Sequence, residues 1–427
     1  MTPARRVVTL PPTVLGPDDA ARFARECQRR GADVLEVRTD LHAPDAVDAD
    51  ALADVLPLLV SERGRPLPAA WVSAAWRVDR DLRDMKERQG ALDIPSGKLL
   101  ASHHAERQLS TEEALRLWER ELPLDALVKH VEPMHGPEHL GILLETQRLL
   151  MERFGAARVT VLGMSPFALP ARAVLARNNV LDYVAAGGAW AAAPGQRLLD
   201  DVVRESQGAN GHALALTPPL RLGILGTSIA HSRSPRIHRQ PFDRIDIPED
   251  GPVETLVDSL LPHYAGFAVT SPFKIRLARH TRSPLEAINT LVRRGSRWES
   301  FNTDTYGALT VLDRLNAMDA FVLGDGGASA AMRAVAGEIG CNLRILRRAD
   351  IGAPPLKGAG VWTWPDRVPA PESLRFERAR VAVIAYGAPG RRIAAEISRR
   401  GGTPVLLGAA WFIAQARRQR QLWESAT

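Results

Sequence analysis

Three short segments carry the residues best suited to chemistry: Ala268-Val-Thr-Ser-Pro-Phe-Lys274, Glu286-Ala-Ile-Asn-Thr-Leu291 and Phe301-Asn-Thr-Asp304. They bring a lysine, an asparagine and an aspartate, with a threonine in each segment, ahead of a glycine-rich loop. A lysine and an aspartate can pass a proton. Amide and hydroxyl groups can hold the oxygens of a polyhydroxylated acid. That set suits hydride chemistry on such an acid. The lysine also stands out against its background. The chain has 55 Lys+Arg, yet its lysines are Lys86, Lys98, Lys129, Lys274 and Lys357 alone. An ammonium can lose its proton and serve as nucleophile or base; a guanidinium cannot. Against the plainer reading of a surface lysine, Lys274 follows the apolar run Phe267-Ala-Val269 and sits beside Pro272 and Phe273.

The first half holds a second set. Glu36-Val-Arg38 ends one candidate strand, and at strand spacing Glu36 and Arg38 share a face. Ser102-His103 ends another, and Lys129 lies inside Leu127-Val-Lys-His-Val131. A lysine in an apolar strand is costly unless it is used. The plainer reading is a core lysine paired with Glu36.

The elements that position these residues follow from apolar periodicity. Candidate strands are Val7–Leu10, Asp33–Val37, Ala69–Ala75, Lys98–Ser102, Ala126–Val131, Arg158–Leu162 and Val180–Ala185, with helical stretches such as Pro17–Arg30 and Thr111–Glu121 between them. This alternation predicts an α/β domain, and the number of repeats favours a closed (β/α) barrel over an open sheet. The segment between Arg77 and Lys98 is too short for a full strand and helix, so the barrel is expected to lack part of one unit, with Ala91–Ile94 as a remnant strand. Gly208–Pro219 reads as a linker. A second α/β unit follows from Leu220, and from Ala320 the pattern is strand, Gly324-Asp-Gly-Gly-Ala-Ser329, helix. That is the entry to a Rossmann-type dinucleotide domain, with Gly324, Gly326, Gly327 and Ala328 at the pyrophosphate. Arg347-Arg348 after the next strand suit a 2′-phosphate and hence NADP; Asp350 leaves NAD open. The boundaries expected are 1–215 for the barrel, 220–316 for a substrate domain completed by 408–427, and 317–407 for the dinucleotide domain.

Composition narrows the classes. A 427-residue chain with 45% hydrophobic and 24% charged residues is expected to be a multidomain soluble protein. No apolar run reaches the roughly 18 residues of a membrane helix. Cys27 and Cys341 lie far apart, show no metal-ligand spacing and fit a reducing cytoplasm. The net charge of +6 comes from scattered arginine without interleaved aromatics, which disfavours nucleic acid and suits small acidic substrates.

With Gly223-Ile-Leu-Gly226 and His231-Ser-Arg-Ser-Pro235, the order of motifs in the second half resembles shikimate dehydrogenase. The resemblance implies that Lys274 and Asp304 are the catalytic pair. It implies that Ser232 and Ser234 grip the substrate carboxylate, and that Thr270, Asn289, Tyr386 and Gln415 hold substrate hydroxyls. The first half resembles type I 3-dehydroquinate dehydratase more thinly. That implies Lys129 as a Schiff-base lysine and His103 as proton shuttle, with Glu36, Arg38, Arg172 and Gln196 at the substrate. Together the halves resemble a bifunctional shikimate-pathway enzyme of aromatic amino acid biosynthesis, acting on 3-dehydroquinate, 3-dehydroshikimate and shikimate with NADP. Its oligomeric state is not readable. Ala192, Ala268, Asp325, Trp362-Thr-Trp364-Pro365 and Val383 depart from the family patterns. They keep two alternatives open: activity in the dehydrogenase half only, or a ligand-sensing homologue with impaired turnover.

Overall fold

The computed structural model describes residues 4–14, 16–87, 94–123, 125–164, 168–208, 221–227, 229, 232–238, 242–366 and 368–425. The chain divides into two compact units: Met1–His212 with Ser228–Ala230 and Asp243–His263, and Ala213–Thr227 with His231–Phe242 and Tyr264–Thr427.

In the first unit, β1 (Arg5–Thr9), β2 (Val34–Arg38), β3 (Leu58–Ser61), β4 (Arg77–Asp81), β5 (Leu99–His104), β6 (Leu127–Pro133), β7 (Val159–Met164) and β8 (Leu181–Ala185) form one parallel sheet. A two-residue strand, β9 (Arg197–Leu198), adds beside β8. The sheet order runs from β7 through β6, β5, β4, β3, β2 and β1 to β8. The curl closes where β7 meets the approach to β8. Val180 N–H donates to Val159 O at 3.0 Å. Beyond it the Asn179 amide takes over the ladder, accepting from Val161 N at 2.8 Å and donating to Val161 O at 2.9 Å. All eight barrel strands are therefore present.

This corrects two expectations. Ala69–Ala74 is a helix that buries Trp71, not a strand; its alanines favour helix over sheet. The missing strand is Arg77–Asp81 itself, followed by a helix that covers Leu82–Glu87 among the described residues. The proposed remnant strand lies outside the described residues except for Ile94, which is not in a strand.

Register decides which side chains face inward. Ser61 pairs with Asp79, Ser102 with Lys129, and Val7 with Tyr183. Residues in register on parallel strands share a face, and the face alternates along each strand. The inner core is Val7, Val34, Leu59, Leu100, Leu127, Val131, Leu162, Leu181 and Tyr183. The other face, with Val8, Leu35, Val37, Val60 and Val78, packs in a separate cluster with apolar residues of the surrounding helices, Ala20, Ala24 and Trp71 among them.

In the second unit, β10 (Arg221–Gly226) lies parallel to β12 (Tyr264–Val269), and the hairpin β13 (Thr290–Arg294) and β14 (Arg297–Phe301) extends that sheet antiparallel. Between them in sequence, β11 (Phe242–Asp246) leads into the Asp243–His263 segment of the first unit. The helix Gly408–Glu424 covers β12 and β13: Trp423 Nε1 donates to Leu291 O at 3.0 Å. The indole nitrogen lies where a Cβ at Gly266 would fall. Glycine is therefore required at that strand position.

A separate parallel sheet comprises β15 (Asp319–Leu323), β16 (Asn342–Leu346), β17 (Leu356–Trp362), β18 (Phe376–Val383) and β19 (Thr403–Leu406), in the order β16-β15-β17-β18-β19. The order reverses at β15, so the carboxyl ends of β15 and β17 form the crevice where such sheets bind ligands. No helix among the described residues is long and apolar enough to cross a membrane.

Candidate active sites

The barrel encloses a cavity of about 430 Å³ at the carboxyl ends of its strands, a size suited to a small molecule and the end where barrel enzymes act. Its lining includes Glu36, Arg38, Arg63, Asp81, Arg83, His104, Lys129, Arg172, Tyr183 and Gln196. Lys129 is 5% exposed; its Nζ donates to Asp79 Oδ2 at 2.7 Å and lies 4.3 Å from the Tyr183 ring centroid. Arg63 donates to the same aspartate oxygen at 2.8 Å. Burial pushes the Asp79 carboxyl up, but Arg63 and then Lys129 outweigh it and hold the group well below the usual range. Lys129 is thus paired with Asp79, not with Glu36. Glu36 accepts instead from Thr9 at 2.5 Å and from Ser61 at 2.7 Å.

Arg172 is the cavity's open cation. It is buried, its Nε and Nη1 have no partner, and burial lowers its pKa to about 10 against the pull of Asp182. A buried guanidinium with unused donors is the group to expect where a carboxylate binds. Gln196 Oε1 accepts from Ala192 N at 2.8 Å, which fixes its amide at the rim.

The histidine expectation is corrected. On β5, His103 pairs in register with His130 and shares its outward face; the two rings stack at 5.8 Å. His104 pairs with Val131 and lines the cavity. The period of two admits only one of two adjacent histidines to the inside. His104 Nδ1 lies 2.9 Å from Asp81 Oδ2, and the same carboxylate accepts from the Arg83 backbone N at 3.0 Å. Burial lowers the His104 pKa, and the Asp81 hydrogen bond offsets part of that. An ionised Asp81 at Nδ1 fixes the Nδ1–H tautomer and leaves Nε2 as acceptor. His103 is held down to about 4 by burial and by His130. Arg63, Asp79, Asp81 and His104 were absent from the sequence-derived set. Ser61-Glu-Arg63 and Asp79-Arg-Asp81 are polar at every position, so no alternation in the sequence marks which of these side chains face inward.

In the second unit, Lys274 opens the helix Lys274–His280 and Asp304 opens the helix Asp304–Leu315. Lys274 Nζ donates to Asp304 Oδ2 at 2.5 Å, and Asn289 Nδ2 donates to Asp304 Oδ1 at 3.0 Å and to Gln415 Oε1 at 3.1 Å. Asn289 Oδ1 accepts from Thr303 N at 2.7 Å, Thr303 Oγ1 at 3.1 Å and Thr290 Oγ1 at 2.8 Å. A backbone N–H only donates, so the amide orientation is fixed. The threonines of two motifs therefore orient Asn289; they do not reach for substrate. Ser232 and Ser234 hydroxyls lie 3.3 Å apart, and the Arg233 guanidinium stacks 5.1 Å from the Tyr386 ring. Thr270 ends the β12 turn, its N–H donating to Leu225 O at 3.0 Å. His231 and the side chain of Pro235 fall outside the described residues.

The glycine loop joins β15 to the helix Gly327–Ala336. Gly324 has φ 126°, and a side chain there would also strike Thr363 Oγ1. A Cβ at Gly326 would meet nothing, and one at Gly327 only the Lys274 Cδ at 4.0 Å, so the loop is open on the Lys274 side. Arg347 is not free: its Nη2 donates to Asp325 Oδ2 at 2.7 Å. Arg348 stacks 4.9 Å from the Trp364 ring, and its Nε and Nη2 are buried without partners. Those two orphaned donors and the open glycines fit an anionic dinucleotide.

No family model matches the chain. Among curated proteins, the NADP(+) shikimate dehydrogenase of Bordetella avium is 32% identical over 164 residues, covering 34% of this chain and 57% of that one. That of Syntrophobacter fumaroxidans is 34% identical over 125 residues, covering 26% and 44%. The pentafunctional AROM polypeptide of Schizosaccharomyces japonicus is 30% identical over 207 residues, covering 42% of this chain and 13% of that one. The chain spans about half the length of the shikimate dehydrogenases it matches. Among solved structures, dehydroquinate dehydratase and shikimate dehydrogenase from S. pombe AroM covers 100% of this chain and 96% of that one at 17% identity and a TM-score of 0.36. Shikimate 5-dehydrogenase from Thermus thermophilus, in complex with NADP(H) and shikimate, covers 49% of this chain and 100% of that one at 22% identity and a TM-score of 0.38. At those scores the structural likeness bears on neither substrate nor residue roles. In sequence, the chain is similar to shikimate dehydrogenases and to a pentafunctional AROM polypeptide.

Proposed function

We propose that the chain is a bifunctional enzyme. Its barrel dehydrates 3-dehydroquinate through an imine on Lys129, and its second unit reduces 3-dehydroshikimate to shikimate with NADPH. The observation that carries the reading is the barrel cavity, where a buried lysine, a histidine held by a carboxylate and an unpaired arginine line one space. The domain limits expected from sequence, a barrel to 215 and a dinucleotide domain at 317–407 flanked by a substrate domain, are kept as part of this proposal. Two buried free cysteines suit a reducing cytoplasm.

In the barrel, Arg172 anchors the substrate carboxylate, and Glu36, Arg38 and Gln196 hold the ring hydroxyls. Lys129 adds to the ketone carbon and loses the carbonyl oxygen as water, giving the imine. His104 Nε2 takes the proton alpha to the imine and returns it to the departing hydroxyl, which leaves as a second water. Hydrolysis frees Lys129 and the enone. Throughout, Asp79 holds the lysine nitrogen in place.

In the second unit, Ser232 and Ser234 grip the carboxylate. Thr270, Asn289, Tyr386 and Gln415 hold hydroxyls. The cofactor, when bound along Gly324, Gly326, Gly327 and Ala328 with its 2′-phosphate at Arg348, supplies the hydride. Lys274 gives a proton to the carbonyl oxygen, and Asp304 fixes the Lys274 ammonium beforehand.

Purified protein assayed separately for dehydration and for NADP-linked shikimate oxidation tests the reading. Borohydride added with 3-dehydroquinate should leave a covalent adduct on the peptide containing Lys129. Dehydration without an adduct rules out the imine. Ligand binding without either turnover favours a sensing role.

A further inference from the structure

Asp325 sits between Gly324 and Gly326, in the turn that leads into the ten-residue helix Gly327–Ala336. A phosphate at such a turn is held by backbone N–H groups and nearby guanidinium donors. Here a carboxylate of the chain itself already engages the guanidinium donors. Arg333 Nη1 donates to Asp325 Oδ1 at 2.7 Å, and Arg347 donates to Oδ2 through Nη2 at 2.7 Å and Nε at 3.0 Å. Both carboxylate oxygens are used, one arginine on each. Arg347 is tied twice over, because its backbone N–H donates to Asp350 Oδ2 at 2.7 Å. Its neighbour Arg348 keeps two buried donors without partners. Of the two arginines after β16, one is neutralised and one is open.

We propose that Asp325 is a built-in competitor for the phosphates of the dinucleotide, occupying with its own carboxylate the arginines that the cofactor would otherwise engage. The inference rests on the dinucleotide reading of the glycine loop. Its physical basis is charge: a like charge in the turn repels the pyrophosphate, and the paired arginines must release Asp325 before they can turn to a phosphate. The side chains of this trio are partly exposed, with Arg347 at 72% and Asp325 at 25%. Exposed pairs of this kind are weak, so a phosphate can displace the carboxylate. The effect is attenuation of affinity, not exclusion.

Direct binding decides it, by titration calorimetry with NADPH and NADH on the full chain, without turnover. Asp325→Asn keeps the shape and removes the charge. It should bind NADPH at least about 10-fold tighter than wild type and gain less for NADH, with a steeper loss of affinity as salt rises. Arg347→Ala should change NADPH affinity less than about 3-fold in wild type. In the Asp325→Asn background the same change should cost about 10-fold, because only there is Arg347 free to bind. Wild type that binds NADPH while Asp325→Asn binds no tighter, or more weakly, would overturn the inference and make Asp325 an organiser of Arg347. If neither protein binds either cofactor, the dinucleotide reading itself fails and the inference with it.

Discussion

Adjacent histidines on β5 carry the sharpest lesson at the scale of single residues. His103 and His104 differ by one step, and a strand turns one of them out. The sequence shows Ser102-His103-His104 without saying where the inward phase falls; only the pairing of Ser102 with Lys129 settles it. His104→Ala should lower dehydration kcat by about 100-fold or more, the usual worth of a general acid–base group. His103→Ala should leave kcat within a few fold and act on stability instead. Equal losses in both variants would undo the assignment. The Asp81 partner adds a pH signature. Asp81 raises the His104 pKa against burial, so Asp81→Asn should let that pKa fall further. The acidic limb of kcat/KM should then move to lower pH, with kcat reduced about 10- to 100-fold by loss of the oriented tautomer. A limb that stays in place argues against this dyad. Lys129 and Lys274 were legible because lysine is scarce in this arginine-rich chain, whereas Arg172 came from the family resemblance alone. Asp79 and Arg63 were not legible, because acid and base residues in short polar runs also describe an exposed loop.

At the scale of elements, apolar periodicity found six of the eight barrel strands and missed β3, Leu58–Ser61, and β4, Arg77–Asp81. Arg77-Val-Asp-Arg-Asp81 has one apolar residue, yet it is a barrel strand whose inward side chains serve the site. The last helix was expected on its spacing to complete the substrate domain, but the contacts it makes needed the structure. Gln419 Nε2 donates to Asn289 O at 3.1 Å and Thr290 Oγ1 at 3.0 Å, and Trp423 meets His238 edge-on with ring centroids 5.0 Å apart. His238 is 2% exposed, with Nε2 unpartnered, and burial lowers its pKa to about 4 against a bond to Gln419. Its folded pKa lies below the unfolded value of 6.5. The unfolded chain therefore binds the extra proton between these limits, and stability falls as pH falls from about 6.5 to about 4. Each pH unit in that window removes up to roughly 1.4 kcal/mol. Thermal unfolding followed across the window should show His238→Gln with a shallower loss than wild type. Parallel curves would mean that other groups carry the acid sensitivity.

At the scale of the whole molecule, the proposal makes the two chemistries separable, because each rests on its own lysine–aspartate pair: Lys129 with Asp79 and Lys274 with Asp304. Lys129→Ala removes the only amine among the residues lining the barrel cavity. It should abolish dehydration and the borohydride adduct while shikimate oxidation keeps its kcat. Lys274→Ala should do the reverse. It should lower dehydrogenase kcat and kcat/KM together by about 100-fold or more, since a group that acts in the transition state affects both alike, with the KM for shikimate little changed. The removed partner matters as well: Lys129→Ala leaves Asp79 with Arg63, and Lys274→Ala leaves Asp304 with Asn289, so neither buried carboxylate loses every donor. Both variants should therefore stay folded, which circular dichroism and retained activity in the other half would verify. An unchanged dehydrogenase kcat in Lys274→Ala would reduce that lysine to a binding residue. Loss of both activities in either single variant would contradict two independent sites.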